Sequence, residues 1–160
     1  MASSTQRQAD LMALAALLAL SAAIVSGAVT VHSVGSWYPT LSKPPFNPPN
    51  WLFGPVWTVL YIAMAVSAWR VWRLRNRAAV TGALGLYACQ MTLNFAWSLI
   101  FFGLHNIGAA LVDILALLGA LVATAVVFWR RERIAGLLMV PYLAWVSFAA
   151  LLNFAIWRLN

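Results

Sequence analysis

The chain has 160 residues, 64% of them hydrophobic and only 8% charged, with a mean hydropathy of +0.86. Soluble domains carry about 25% charged residues, so this composition excludes an ordinary soluble domain and makes lipid the natural solvent. The net charge of +7 does not point to nucleic acid, because the basic residues flank apolar spans and form no patch interleaved with aromatics.

The first apolar run extends from Leu11 to Val31. It meets the roughly 20 residues needed to cross a bilayer and exceeds the roughly 7–15 of a signal-peptide core, so it reads as a retained helix. Ala15, Ala19, Ala23 and Gly27 recur at every fourth position, a ladder that lets another helix approach closely. Next comes Ser36 to Trp57, SWYPTLSKPPFNPPNWLFGPVW, with Pro39, Pro44, Pro45, Pro48 and Pro49 before Pro55 opens the following helix. Proline fixes φ and removes a backbone donor, so this stretch is no continuous helix yet is stiffer than an ordinary loop. Trp37, Tyr38, Phe46, Trp51, Phe53 and Trp57 are interleaved with the prolines. They read either as an aromatic belt at the membrane surface or as a structured lid over a pocket. Long loops within compact domains are usually functional, which favours the lid.

Four more spans follow. Helices are expected at about 10–32, 51–74, 78–103, 106–130 and 134–157, giving one all-α domain over 1–160. This is a bundle of five transmembrane helices with a structured Pro/Trp-rich loop between the first two. Pro55 is expected in a first turn, where a missing donor costs least. The last four spans have short links, so consecutive helices are expected to be antiparallel neighbours. Arg7, the arginines at 70, 73, 75 and 77, and those at 130, 131 and 133 fall on one side; Lys43 and Arg158 fall on the other. The positive-inside rule then makes the amino terminus cytoplasmic and puts the proline loop outside, and helical spans favour a bacterial inner membrane.

Polar groups within a membrane are costly unless they face the bundle interior. Tyr87, Gln90, Asn94 and Trp97 share one face of the third helix. Trp57, Tyr61, Met64 and Ala68 form a stripe on the second, and Tyr142, Trp145, Ala149 and Asn153 one on the fifth. Gln90 and Asn153 taken singly read as interhelical glue. Trp57, Asn94 and Trp145 together read as a pocket beneath the loop, whose flat rings suit a large planar ligand. Asp113 reads either as a buried hydrogen-bond partner or as a ligand or proton-coupling group. Gly82, Gly85 and Cys89 make a small-residue strip on the opposite face of the third helix, suited to close contact with a second copy.

Enzyme signatures are sparse: there is no HExxH, no glycine-rich phosphate loop and no arrangement of serine, histidine and acid. Cys89 alone excludes an intrachain disulfide and a cysteine-based zinc site. His32 and His105 fall on the same membrane side and could ligate a haem iron, but two histidines without a carboxylate are a weak signal. No metal site is expected.

WYPTLSKPPFNPPNW (Trp37 to Trp51), the run from Pro55 to Tyr61, NFAWSLIFFG (Asn94 to Gly103) and PYLAWVSFAALLNF (Pro141 to Phe154) carry a resemblance over essentially the whole chain. The sequence resembles the TspO/translocator protein family, the tryptophan-rich sensory proteins once called peripheral benzodiazepine receptors. The resemblance implies a five-helix homodimer that binds porphyrins such as protoporphyrin IX and haem, and benzodiazepine-receptor-type ligands, with no cofactor required. It implies a ligand pocket of Trp37, Tyr38, Pro48, Trp51, Trp57, Tyr61, Asn94, Trp97, Asp113, Trp145 and Phe148. It also implies light-dependent porphyrin breakdown in bacterial members, with Trp57 and Trp145 as the candidate catalytic residues, and a role in sensing or regulating tetrapyrrole metabolism. Transport of amphipathic metabolites is a further alternative; no inverted repeat supports it. Two departures stand out. Phe46 replaces a frequent tryptophan, and the last helix ends ALLNFAIWRLN without the tyrosine of the animal cholesterol motif.

Overall fold

A computed structural model describes residues 4–25, 35–75 and 80–160. The helices are α1 (Ser4–Val25), α2 (Asn50–Trp72), α3 (Thr81–Ser98), α4 (Ile107–Arg131) and α5 (Arg133–Leu159). A 3-10 turn spans Tyr38–Thr40, and a π-helical turn, Leu99–Gly103, continues α3. Among the described residues there is no strand. The expected end of the first helix near Val31, Gly27 of its small-residue ladder, His32 and Arg77 all lie outside the described residues.

Among the described residues, four helices are long and apolar enough to cross a membrane: α2, α3 with its π turn, α4 and α5, of 23, 23, 25 and 27 residues. At 1.5 Å per residue each exceeds the roughly 30 Å hydrocarbon core. Their outer faces expose Val59, Ile62, Val112, Leu115, Leu137, Val140 and Leu151, while Met64, Leu121, Phe128, Met139 and Tyr142 are buried within. An apolar outer surface of this extent marks a membrane or protein contact. By length and composition these four helices suit a bilayer span.

Two boundaries differ from expectation. Helix α1 starts at Ser4, several residues early, because its polar first turns are anchored: Arg75 Nη1 meets Asp10 Oδ1 at 2.6 Å, and Trp69 Nε1 donates to the Asp10 carbonyl at 2.9 Å. Pro55 lies beyond the first turn of α2, which begins at Asn50 after extended Pro49. There the ring takes the place of a donor to the Trp51 carbonyl.

Helix order in space departs from order in sequence. Helices α4 and α5 pack most extensively, then α3 and α4, then α1 and α2 and α2 and α5; α2 and α3 barely touch. The expected adjacency of consecutive helices thus fails between α2 and α3. Two polar groups near the end of α2 help explain why, since their partners are at the start of α5 and the residue before it. Buried Ser67 donates to the Ala135 carbonyl at 2.7 Å. Arg70 grips Glu132 through Nε at 2.7 Å and Nη2 at 3.0 Å.

Glu132 is also the only residue between α4 and α5, extended at φ −155°. Its carboxylate accepts from the amides of Ile134 and Ala135 and so caps α5. The corner is tight enough that a Cβ on Gly136 would stand 2.6 Å from Trp129 Cα, which only glycine avoids. Arginines crowd this end of the bundle. The proline-rich segment, the π turn and the end of α5 gather at the other.

Candidate ligand pocket

Beneath the proline-rich segment lies an aromatic cavity of about 70 Å³, enclosed in about 590 Å³ of space when its open mouth is included. Helix α2 contributes Phe53 and Trp57, one turn apart; α5 contributes Trp145, Ala149, Leu152, Asn153 and Ile156, one continuous helical face. Tyr38 comes from the 3-10 turn, and Trp97, Phe101 and Phe102 from α3 and its π turn. The wide turn brings two consecutive phenylalanines inward, both buried, and closes with Leu104 N donating to Leu99 O at 2.9 Å. His105 then turns the chain at φ 54°, a left-handed conformation that histidine adopts more readily than most residues.

The segment over the cavity is held by side chains. Tyr38 donates to Asn47 Oδ1 at 2.6 Å, and Asn47 Nδ2 donates to the Pro48 carbonyl at 3.0 Å. Lys43 Nζ donates to the carbonyls of Tyr38, Pro39 and Leu41 at 2.9, 3.2 and 2.7 Å, closing off the 3-10 turn. Burial pushes the Tyr38 phenol up to about 12, so it remains a neutral donor at physiological pH. Asn160 clasps the backbone of Ser42, accepting from its N–H and donating to its carbonyl, both at 3.0 Å. Trp37 stacks on His105 at 4.1 Å.

Inside, Trp57 and Trp145 stand nearly perpendicular, 6.5 Å apart, with Phe53 edge-on to Trp145 at 6.0 Å. Trp97 Nε1 is taken up by Asn153 Oδ1 at 3.0 Å, and Asn153 Nδ2 by the Ile107 carbonyl at 3.0 Å. The indole N–H groups of Trp57 and Trp145 make no hydrogen bond among the described residues. The cavity therefore presents a greasy, ring-lined interior. Below it, Tyr61 stacks under Trp57 at 5.4 Å and donates to Asn94 Oδ1, and Asn94 Nδ2 donates to Tyr142 Oη at 2.8 Å. That buried bridge joins three helices and supports the cavity floor.

Of the residues expected at the site, Tyr38, Trp57, Trp97 and Trp145 line the cavity together. Tyr61 and Asn94 form the layer beneath. Trp37 sits one layer outward, edge-on to Phe101 at 5.6 Å, and Pro48 acts through its carbonyl on Asn47. Phe148 backs Trp145 at 5.7 Å and meets Phe46 at 6.4 Å. Trp51 is 71% exposed and away from the cavity. Asp113 does not line it either; its Oδ2 is buried in α4 without a partner among the described residues. Phe53, Leu152 and Ile156 were not foreseen, though each lies one turn from a foreseen face residue. Phe101 and Phe102 carried no periodic signal, because the π turn breaks the period there. Asn153, read as glue, does bridge helices and also lines the cavity.

The sequence model of the TspO/MBR family matches residues 13–158. The chain belongs to the TspO/MBR family. Among relatives, it is 43% identical to the translocator protein of Homo sapiens over 148 residues, which covers 89% of this chain and 86% of that one. It is 44% identical to the tryptophan-rich protein TspO of Archaeoglobus fulgidus over 149 residues, 91% and 95% of the two chains. Protein CrtK of Rhodobacter capsulatus is 45% identical over 132 residues, covering 81% and 82%. For this TspO/MBR chain, aromatic density is thus concentrated where the prolines, the π turn and the end of α5 meet.

Proposed function

We propose that this protein is a five-span membrane receptor for porphyrins such as protoporphyrin IX and haem, and for benzodiazepine-receptor-type ligands. It senses or regulates tetrapyrrole metabolism, with α1 as the fifth span and the amino terminus on the cytoplasmic side of the cell membrane. The observation carrying this reading is the cavity walled by Trp57, Trp97, Trp145 and Tyr38, whose flat rings match a planar macrocycle. Ligand pockets usually span about 300–1,000 Å³, so a cavity of about 70 Å³ must widen for a macrocycle, and in this reading the proline segment lifts. In this reading the segment is the lid, closed by the Asn160 clasp and the Trp37–His105 stack. The names of the relatives, which include a translocator protein and tryptophan-rich proteins, are compatible with small-molecule binding.

The deciding experiment is a dark titration of purified protein with protoporphyrin IX, followed by tryptophan fluorescence. Saturable quenching that weakens in Trp57→Phe and Trp145→Phe is expected, and absence of saturation defeats the reading. A second reading, photo-oxidative porphyrin breakdown, is favoured by the close Trp57–Trp145 pair, which could accept oxidising equivalents from an excited ligand. It requires a new absorbing product only under light, only with oxygen, and not with the phenylalanine variants.

A further inference from the structure

Helix α3 carries four polar residues, Tyr87, Gln90, Asn94 and Trp97, spaced i, i+3, i+7 and i+10 along one face. The upper two are satisfied by protein: Trp97 by Asn153, Asn94 by Tyr61 and Tyr142. The lower two are not. Gln90 is 0% exposed, and neither its Oε1 nor its Nε2 has a hydrogen-bond partner among the described residues. Tyr87 is 5% exposed, its ring stacked on Phe128 at 6.1 Å, and its hydroxyl is equally unpartnered. Residues three apart on a helix are neighbours on one face, their Cβ atoms about 5–6 Å apart, so Tyr87 and Gln90 leave the backbone side by side, with Asn94 one turn above Gln90.

Buried polar groups are almost always hydrogen-bonded, and an unpaired carboxamide in a membrane interior is heavily penalised. The carboxamide offers two donors and an acceptor, and the hydroxyl one of each. No charged side chain is among these groups, so the chemistry suits a neutral occupant with both donors and acceptors. A methyl-rich solute would leave those groups unpaired. Water satisfies both, since a buried water makes about three hydrogen bonds to such groups.

We propose that Tyr87 and Gln90 form an internal water site on α3 that extends the Tyr61–Asn94–Tyr142 bridge by one further turn. The interior polar stripe is thereby continuous, from the ligand cavity at Trp97 to a hydrated centre two to three turns deeper. This inference does not depend on what the cavity binds.

The test uses full-length protein in lipid nanodiscs with 15N-labelled glutamine, of which the chain has three, Gln6, Gln8 and Gln90. Gln90 is assigned by its loss in Gln90→Leu, or by elimination with Gln6→Ala and Gln8→Ala. Magnetisation transfer from water to the Gln90 side-chain amide is expected. Tyr87→Phe, which deletes only the hydroxyl, is expected to lower Tm by about 2–4 °C because a bonded group is lost. Removing a truly orphaned hydroxyl would instead leave Tm unchanged or raise it. Water contact at Gln90 with a lowered Tm in Tyr87→Phe supports the site. No water contact at Gln90, or a Tm at or above that of the unsubstituted protein, overturns it.

Discussion

Asn94 is the side chain on which α2, α3 and α5 converge, and the energetics of that position are asymmetric. Its amide both accepts from Tyr61 and donates to Tyr142, and all three residues are buried. Asn94→Leu fills a similar space yet leaves two buried phenols without a partner, at about 1–3 kcal/mol each. A large drop in Tm is expected, with a smaller one for Tyr142→Phe, since that change orphans only the Asn94 amide donor and leaves the bond from Tyr61 in place. Equal Tm values for Asn94→Leu and the unsubstituted protein would remove the bridge from the stability of the bundle. Gly136→Ala is a second expectation at this scale. The added methyl meets Trp129 backbone at 2.6–2.8 Å, contacts that a side-chain rotation cannot relieve. Overpacking of this kind costs about 1–3 kcal/mol, so thermal unfolding of the variant should begin well below that of the parent.

The corner between α4 and α5 shows how one carboxylate organises an element. Arg70, first, holds the Glu132 carboxyl below the usual range, helped by the amides of Ala135 and Ile134 and opposed by burial. A depressed folded value means that the stabilisation is fully present above the unfolded glutamate value of about 4.3 and is lost as pH falls through the lower folded value. The Tm difference between the unsubstituted protein and Glu132→Gln should therefore be constant from pH 7 to 5 and narrow below about pH 4. A gap that does not narrow in acid would mean that the charge contributes nothing. At this scale much was legible in sequence. Helices α2 to α5 begin and end within a few residues of the positions set by arginine clusters and by the proline run, because charge and proline act locally. The partnering of α2 with α5 was not legible. It depends on Ser67 and Arg70 finding Ala135 and Glu132 more than sixty residues away, and pattern alone cannot rank such pairings. The site shows the same division. Trp57 and Trp145 lie on regular helical faces and could be placed, whereas Phe101 and Phe102 enter through a π turn that no spacing announces. Asp113 and Trp51 carried the right chemistry at positions whose orientation only the packing decides.

Considered whole, the molecule has two unlike ends joined by an apolar wall. Arginines and two ion pairs occupy one end; the proline segment, clasped by Asn160, occupies the other. Asn160→Ala removes both bonds to Ser42 and leaves the cavity lining intact. If the segment is a lid, porphyrin association and dissociation should both accelerate, severalfold, with Kd changed much less; stopped-flow quenching reads both rates, and unchanged rates would leave the segment without a gating role. On the outer face of α3, Gly82 and Gly85 have open space where a Cβ would stand, and Cys89 is exposed beside them. A second copy seated on that strip would be displaced by Gly85→Leu, seen as a shift to monomer in mild detergent; an unshifted dimer would mean that another face is used. The pairing of α2 with α5 also bears on how the chain is made. During synthesis α2 is made before α5, so Ser67 and Arg70 are in place before Ala135 and Glu132 exist to meet them. Assembly of this bundle is thus a completion event, in which the corner between α4 and α5 supplies the partners that α2 has been waiting for.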